Sequence, residues 1–292
     1  MAEVEDLERG VGNPAAKWDE FKARVQAEAI RQFADVEAAW LDLMWTLDAY
    51  RVAQILPAGF KDFGAFNRGK GNWFAELLSL LLHNRTHHRI AARQRVRGFS
   101  QHHQIDIAWP ARGEDPLVCC ESKVTGAPAF DSTPARGAIS DFSNRRKELK
   151  FAATDLKLYR RQQRTAIEHW DVWRQRERPK TYFLWAARLE PGKDRIATLV
   201  REARDLIDTY LDGAGLFAWQ PNQAGEGYQA VPLPSGERVT SLDDVLYRIA
   251  SEINALVDDQ GRPPPPVRPE QTAIQPGELP DDPGDAGGPE EA

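Results

Sequence analysis

The segment HHQIDIAWPARGEDPLVCCESKVT, residues 102–125, decides how this chain is read. Two runs of strand character, 102–110 and 116–123, flank turn-forming residues from Pro110 through Pro116. In the first run Asp106 stands between Ile105 and Ile107, so its carboxylate is expected to point away from the face those isoleucines bury. In the second, Glu121 and Lys123 are two residues apart, a spacing that places both on one face, about 6.5 Å from each other along the strand. Ser122 and Cys120 then look to the other side. If the strands are neighbours, Asp106 meets Glu121 on a shared face.

Two carboxylates and a lysine gathered in this way suit a hard divalent cation, Mg²⁺ first and Mn²⁺ as a substitute, because such ions take oxygen ligands and retain water. The ion polarises a phosphoryl group and makes a bound water nucleophilic, while the lysine orients that water or helps to deprotonate it. A Glu–Lys pair alone on a solvated sheet face is ordinary and worth under about 1 kcal/mol. Its weight here comes from the elements around it.

Upstream, Trp73-Phe74-Ala75-Glu76-Leu77-Leu78 belongs to a helix expected over 73–85 with Asn72 as its cap. A carboxylate inside so apolar a run is costly unless partnered, so Glu76 is expected to aim at the same metal site. Residues 93–99 read as a third strand, ahead of the other two. A long helix is expected over 138–178, then a buried strand at Thr181–Trp185. The order is helix, three strands, helix, strand.

That order, with Asp on one strand and Glu-x-Lys ending the next, resembles the PD-(D/E)XK nuclease superfamily over about residues 70–190. The resemblance implies a restriction-endonuclease-like α/β core, a central mixed sheet flanked by helices. It makes Asp106 and Glu121 metal ligands, Lys123 the residue assisting water, and Glu76 the acid of the first helix. Ile105 stands where many members carry proline. The implied activity is Mg²⁺-dependent hydrolysis of DNA, in restriction or phage defence. A homodimer would cut both strands, and further defence-system subunits are compatible with this role. The alternatives are a nuclease acting on RNA, or a non-catalytic or partner-gated DNA-binding subunit of a defence complex.

Charge distribution adds a track for phosphates. Residues 83–103 hold Arg85, Arg89, Arg93, Arg95 and Arg97 and no acid, and residues 136–164 carry a net charge of +6. The expected nucleic-acid contacts are Arg93, Arg95 and Arg97 in the first run, and Arg145, Arg146, Lys147 and Lys150 in the second. Five of six histidines fall between His83 and His103, but His83-Asn84-Arg85-Thr86-His87 lacks the glutamate of a zinc-protease helix. Gly69-Lys70-Gly71 lacks the Ser or Thr of a phosphate-binding loop.

The chain of 292 residues is 41% hydrophobic and 28% charged, an ordinary globular composition with ample material for a core. Its net charge of −6 is misleading, because residues 258–292 alone carry −7 and leave the remainder near neutral. Residues 259–292 hold nine of the twenty prolines and few large apolar side chains, so they are expected to be disordered. Helical spacing from Trp18 to Tyr50 predicts an N-terminal helical region over 1–60, ahead of the core at 61–192. Residues 193–258 add a helix over 195–211, two short strands, and a helix over 241–257 opened by Ser241 and Asp244. Adjacent Cys119 and Cys120 cannot readily pair with each other, and no signal-like or membrane-length apolar run is present. A cytoplasmic protein without membrane contact is expected.

Overall fold

The structure, a computed structural model, describes residues 14–50, 63–110, 116–129, 134–140, 142–162, 178–207, 209–236 and 238–260. The chain is α/β: one six-stranded mixed sheet carries helices on both faces. Its helices are α1 (Pro14–Ala27), α2 (Glu37–Tyr50), α3 (Phe63–Thr86), α4 (Phe142–Gln162), α5 (Ile196–Ile207) and α6 (Leu242–Gln260). Its strands are β1 (Ala91–Arg97), β2 (His102–Trp109), β3 (Val118–Thr125), β4 (Lys180–Arg188), β5 (Gly213–Pro221) and β6 (Tyr228–Val231), lying side by side in chain order. β1, β2 and β3 form an antiparallel meander; β3, β4 and β5 run parallel; β6 returns antiparallel.

Each parallel step needs a crossover, and α4 and α5 supply them on one face of the sheet. Their buried residues Phe142, Leu149, Leu199 and Leu206 pack with Phe183, Trp185, Ala214 and Leu216. The opposite face is covered by α1, α2, α3 and α6, through Phe21, Trp40, Leu77, Leu81, Val245 and Ile249 against Ile107, Leu184 and Trp219. β4 is therefore buried on both sides, as a central parallel strand must be. The N-terminal helices belong to this same layer. Asp243 of α6 accepts the N–H groups of Phe33 and Ala34 at 2.8 and 2.9 Å and pairs with Arg85. β5 and β6 extend the sheet begun by β1–β4, so the expected boundary at 192 falls inside one sheet.

Several expected elements shift. The N-terminal periodicity, compatible with one long helix or two shorter ones, is two helices, α1 and α2, joined through a 3₁₀ turn at Ala34–Val36. α3 begins at Phe63, well before Asn72, so Asn72 is not its cap and Gly69 and Gly71 lie inside a helix. Burial of Phe74, Leu77, Leu78, Leu81 and Leu82 holds that helix together despite its glycines. α4 begins at Phe142, later than expected, and of the expected stretch 163–177 lies outside the described residues. Ser241 and Asp244 form the expected capping box: Asp244 N–H donates to Ser241 Oγ at 3.2 Å, and Ser241 N–H returns a bond to Asp244 Oδ2 at 3.2 Å. Cys119 and Cys120 are both buried, each in a different apolar cluster. The acidic tail from 261 onward lies outside the described residues. Among the described residues no helix is long and apolar enough to cross a membrane.

Candidate active site

The site forms where β2 and β3 part. Their pairing runs from Trp109↔Val118 through Ile107↔Cys120, and there the register stops. Ser122 N–H, facing the gap, donates to Asp106 Oδ2 at 2.8 Å, and the Ser122 hydroxyl lies 3.2 Å from the same oxygen. A side-chain carboxylate thus replaces a backbone acceptor, which satisfies a donor that burial would otherwise penalise. On the other edge of β2 the register with β1 skips from Ala92↔Ile107 to Gln94↔Ile105, where Arg93 adopts φ +56°. This irregularity corrects one expectation. Ile105 and Ile107 do not bury one face: Ile105 packs with Val96, Ala108, Cys119 and Leu156, and Ile107 joins the larger core under α3.

Lys123 Nζ lies 3.2 Å from Asp106 Oδ2 and 3.0 Å from Glu121 Oε2, so the structure brings the three side chains together around one ammonium. Burial pushes the Glu121 carboxyl up to about 7, opposed by Lys123 and reinforced by Asp106. Burial acts to lower the Lys123 ammonium, but Glu121 and Asp106 outweigh it and hold Lys123 above the ordinary lysine value. Lys123 is therefore a proton-bearing hydrogen-bond donor at neutral pH rather than a base. One positive charge serves two carboxylates, an arrangement short of cationic charge.

Asp106, Ser122 and Lys123 open into a cleft of about 640 Å³. Its walls are Lys70, Gly71 and Asn72 from α3, Val124–Ala127 at the end of β3 and just beyond it, Arg136–Ala138, and Asn144, Arg145 and Glu148 from the first turns of α4. Glu121 lies behind Lys123, against Ile105, Leu149 and Ala152. Gly126 turns the chain out of β3 at φ +84°, where a Cβ would meet the Arg188 carbonyl oxygen at 2.2 Å. Asp194 fixes the far wall by accepting the N–H groups of Ala138 and Glu190, each at 2.9 Å.

Glu76 is not part of this assembly. It pairs with Lys22 of α1, remains about one-third exposed, and does not line the cleft. The helical turn that carries Trp73 onto Trp18, with ring centroids 5.4 Å apart, carries Glu76 toward α1 as well. Among the described residues no three His, Cys, Asp or Glu side chains gather as a metal cluster. The α3 residues that reach the cleft are Lys70 and Asn72, which the sequence reading did not select. Lys70 is buried in an ion pair with Asp48, whose other oxygen accepts the Tyr228 hydroxyl at 2.7 Å.

The two basic runs differ in their use. Arg93 and Arg95 are exposed and Arg97 half-buried along β1, the edge of the sheet. In α4, Arg145 is exposed, lines the cleft and bonds Glu148 at 2.7 Å, whereas Arg146 pairs with Glu202 of α5 at 2.9 Å. Lys150 lies over the Tyr210 ring at 4.7 Å, and Lys147 is exposed. The expected single track Arg145–Lys150 is thus divided by helical geometry, which turns positions 146 and 150 inward together. Arg136, counted only as part of the basic run, lines the cleft beside Arg145.

Comparison with protein-family models, with curated proteins and with solved structures finds no match to this chain.

Proposed function

We propose that this protein is a metal-dependent phosphodiesterase of restriction-endonuclease-like architecture that hydrolyses DNA, in the setting of restriction or phage defence. The observation that carries the reading is the Asp106–Lys123–Glu121 cluster at the foot of a cleft walled by Lys70, Arg136 and Arg145. The order α3-β1-β2-β3-α4-β4, with an antiparallel meander followed by a parallel strand, supports it.

The donor set fits Mg²⁺ or Mn²⁺. Asp106 and Glu121 provide oxygen ligands alone, and Mg²⁺ is commonly held through one or two carboxylates with the remaining positions left to water and phosphate. Bound there, the ion supplies Lewis-acid charge and activates a water. Lys123, kept protonated by its two acids, orients the attacking water or donates to a phosphoryl oxygen. Arg136 and Arg145 hold the flanking phosphates, and Ser122 keeps the Asp106 carboxylate aimed. A homodimer would place two such clefts on opposite strands of a duplex.

The test is incubation of the full chain with supercoiled plasmid, single-stranded DNA and RNA, in Mg²⁺ and in EDTA, alongside Lys123→Ala. Metal-dependent cutting of DNA that Lys123→Ala abolishes is the expected result. Preference for RNA would move the substrate class, and silence on every substrate would overturn the enzyme reading in favour of a binding subunit.

A further inference from the structure

The turn between β1 and β2 carries an exposed aromatic residue on an unusually well-fastened backbone. Phe99 is 48% exposed. Its own N–H donates to the Asp155 carbonyl at 3.1 Å, and Gly98 N–H donates to the Gln101 carbonyl at 2.8 Å. Next to it, Ser100 gives Asp155 Oδ1 both its N–H at 2.9 Å and its hydroxyl at 2.8 Å, and His103 Nε2 lies 2.7 Å from Asp155 Oδ2. Gly98 completes the fit, because a Cβ there would fall 2.1 Å from the Asp155 carboxylate. Burial acts against ionising Asp155, yet the bonds from His103 and Ser100 prevail and hold its carboxyl below the ordinary value. Three polar groups of the turn, together with His103 of β2, converge on one residue of α4. A large, half-exposed apolar ring is thereby carried on a fastened backbone.

The strands leading to this turn are basic on their outer face. Arg97 pairs across the ladder with His102, and Arg95 with Gln104, so Arg95, Arg97, His102 and Gln104 share one face of the hairpin. Val96 and His103 occupy the opposite, buried face. After burial, the fields of Arg95 and Arg97 are the main influences holding His102 below its ordinary value, a sign that the cations converge. Two residues beyond Gln104 on β2 stands Asp106. Asp106 thus lies past the break in alternation between Ile105 and Ile107, roughly 13 Å along β2 from His102 at the strand repeat.

We infer that the Gly98–Gln101 turn is a stacking finger for single-stranded nucleic acid, with Phe99 against an unpaired base and Arg95 and Arg97 on the adjoining phosphates. The inference deepens the nucleic-acid reading above and rests on it. Base–aromatic stacking needs a ring that is open on one face and held in place, and every base offers a partner regardless of sequence. A base inside an intact duplex has no free face, so the finger distinguishes an unwound or single-stranded segment from a paired one.

The experiment is fluorescence anisotropy of the full chain in EDTA, with labelled oligo-dT and a labelled duplex of matched length, so that binding is read without cleavage. Phe99→Ala is expected to weaken oligo-dT binding about tenfold and duplex binding by less than about twofold. Phe99→Trp is expected to retain the oligo-dT affinity. Tyr247→Ala, which removes the exposed aromatic of α6, is expected to change neither. Thermal melting checks that each variant folds. Unchanged oligo-dT binding by Phe99→Ala, or equal loss on both probes, overturns the finger while leaving the nuclease reading to its own cleavage assay. Failure of the wild-type chain to bind either probe overturns the finger and the nucleic-acid reading together.

Discussion

Two ionic clusters on this sheet are near mirror images in charge. At Asp212, following α5, one carboxylate is held by Lys157 at 2.9 Å, by Lys180 at 3.1 Å and by the Thr181 N–H at 2.8 Å. At Lys123 one ammonium is held by two carboxylates, Asp106 and Glu121. The first ties α4, β4 and the entry to β5 together with every oxygen of the acid occupied, which is the arrangement of a structural clamp. The second leaves two partly buried acids sharing one cation, and its Asp106 and Lys123 line a cleft. A fold has no need to crowd carboxylates in this way, and their mutual repulsion is relieved by an added cation. The lesson is that stoichiometry of charge, more than the presence of an ion pair, separates a site from a strut.

The comparison can be broken in four ways. The largest effect is expected from Lys123→Ala, which should lower metal-dependent cleavage by about a hundredfold or more while leaving a folded chain; near-normal turnover would mark Lys123 as another strut. Asp212→Asn should do the reverse. It removes the shared charged acceptor of buried Lys157 and half-buried Lys180 and should cost about 3 kcal/mol in denaturant titration, with cleavage per folded molecule unchanged.

Next comes the pH dependence of stability without divalent ions. The Glu121 carboxyl is raised in the folded chain from 4.5 to about 7, so the native state binds its proton more tightly than the unfolded chain does. Its stabilising contribution is full below about pH 4.5 and is lost as pH rises toward 7, amounting to a few kcal/mol. Glu121→Gln should flatten the stability profile across that window, and an unchanged slope would show that another group is responsible. The smallest effect is expected for Glu76→Gln. Its partly exposed pair with Lys22 contributes under about 1 kcal/mol, and cleavage should stay within about twofold; a large loss would return Glu76 to the site.

The two arginine-rich runs show where sequence reading reaches its limit. On β1 alternation holds over Gln94–Arg97, with Gln94 and Val96 buried and Arg95 and Arg97 on the other face, whereas Arg93, at φ +56°, departs from it. On α4 adjacency in sequence misleads, because Arg145, Arg146 and Lys147 are spread around a helix and Arg146 and Lys150 find Glu202 and Tyr210 on a later element. Glu76 failed for a similar reason. An acid in an apolar helix announces a partner, and local sequence does not say whether that partner is a metal site or Lys22, fifty-four residues away. Lys70 was legible only within a glycine-flanked string and Asn72 only as a helix cap, which gave no sign that α3 passes the cleft at that turn.

By itself the sequence determined the strand–strand–helix order around Asp106, the two-residue spacing of Glu121 and Lys123, the doubly buried Thr181–Trp185 run and the capping box at Ser241. Each of these depends on a period or spacing of a few residues, within which backbone geometry is nearly fixed. The tertiary structure alone decided that β2 and β3 separate at Asp106, that α3 brings Lys70 rather than Glu76 to the cleft, and which arginines remain outward. Those outcomes depend on how whole elements rotate and slide against one another, and packing energy is summed over contacts that no short window contains.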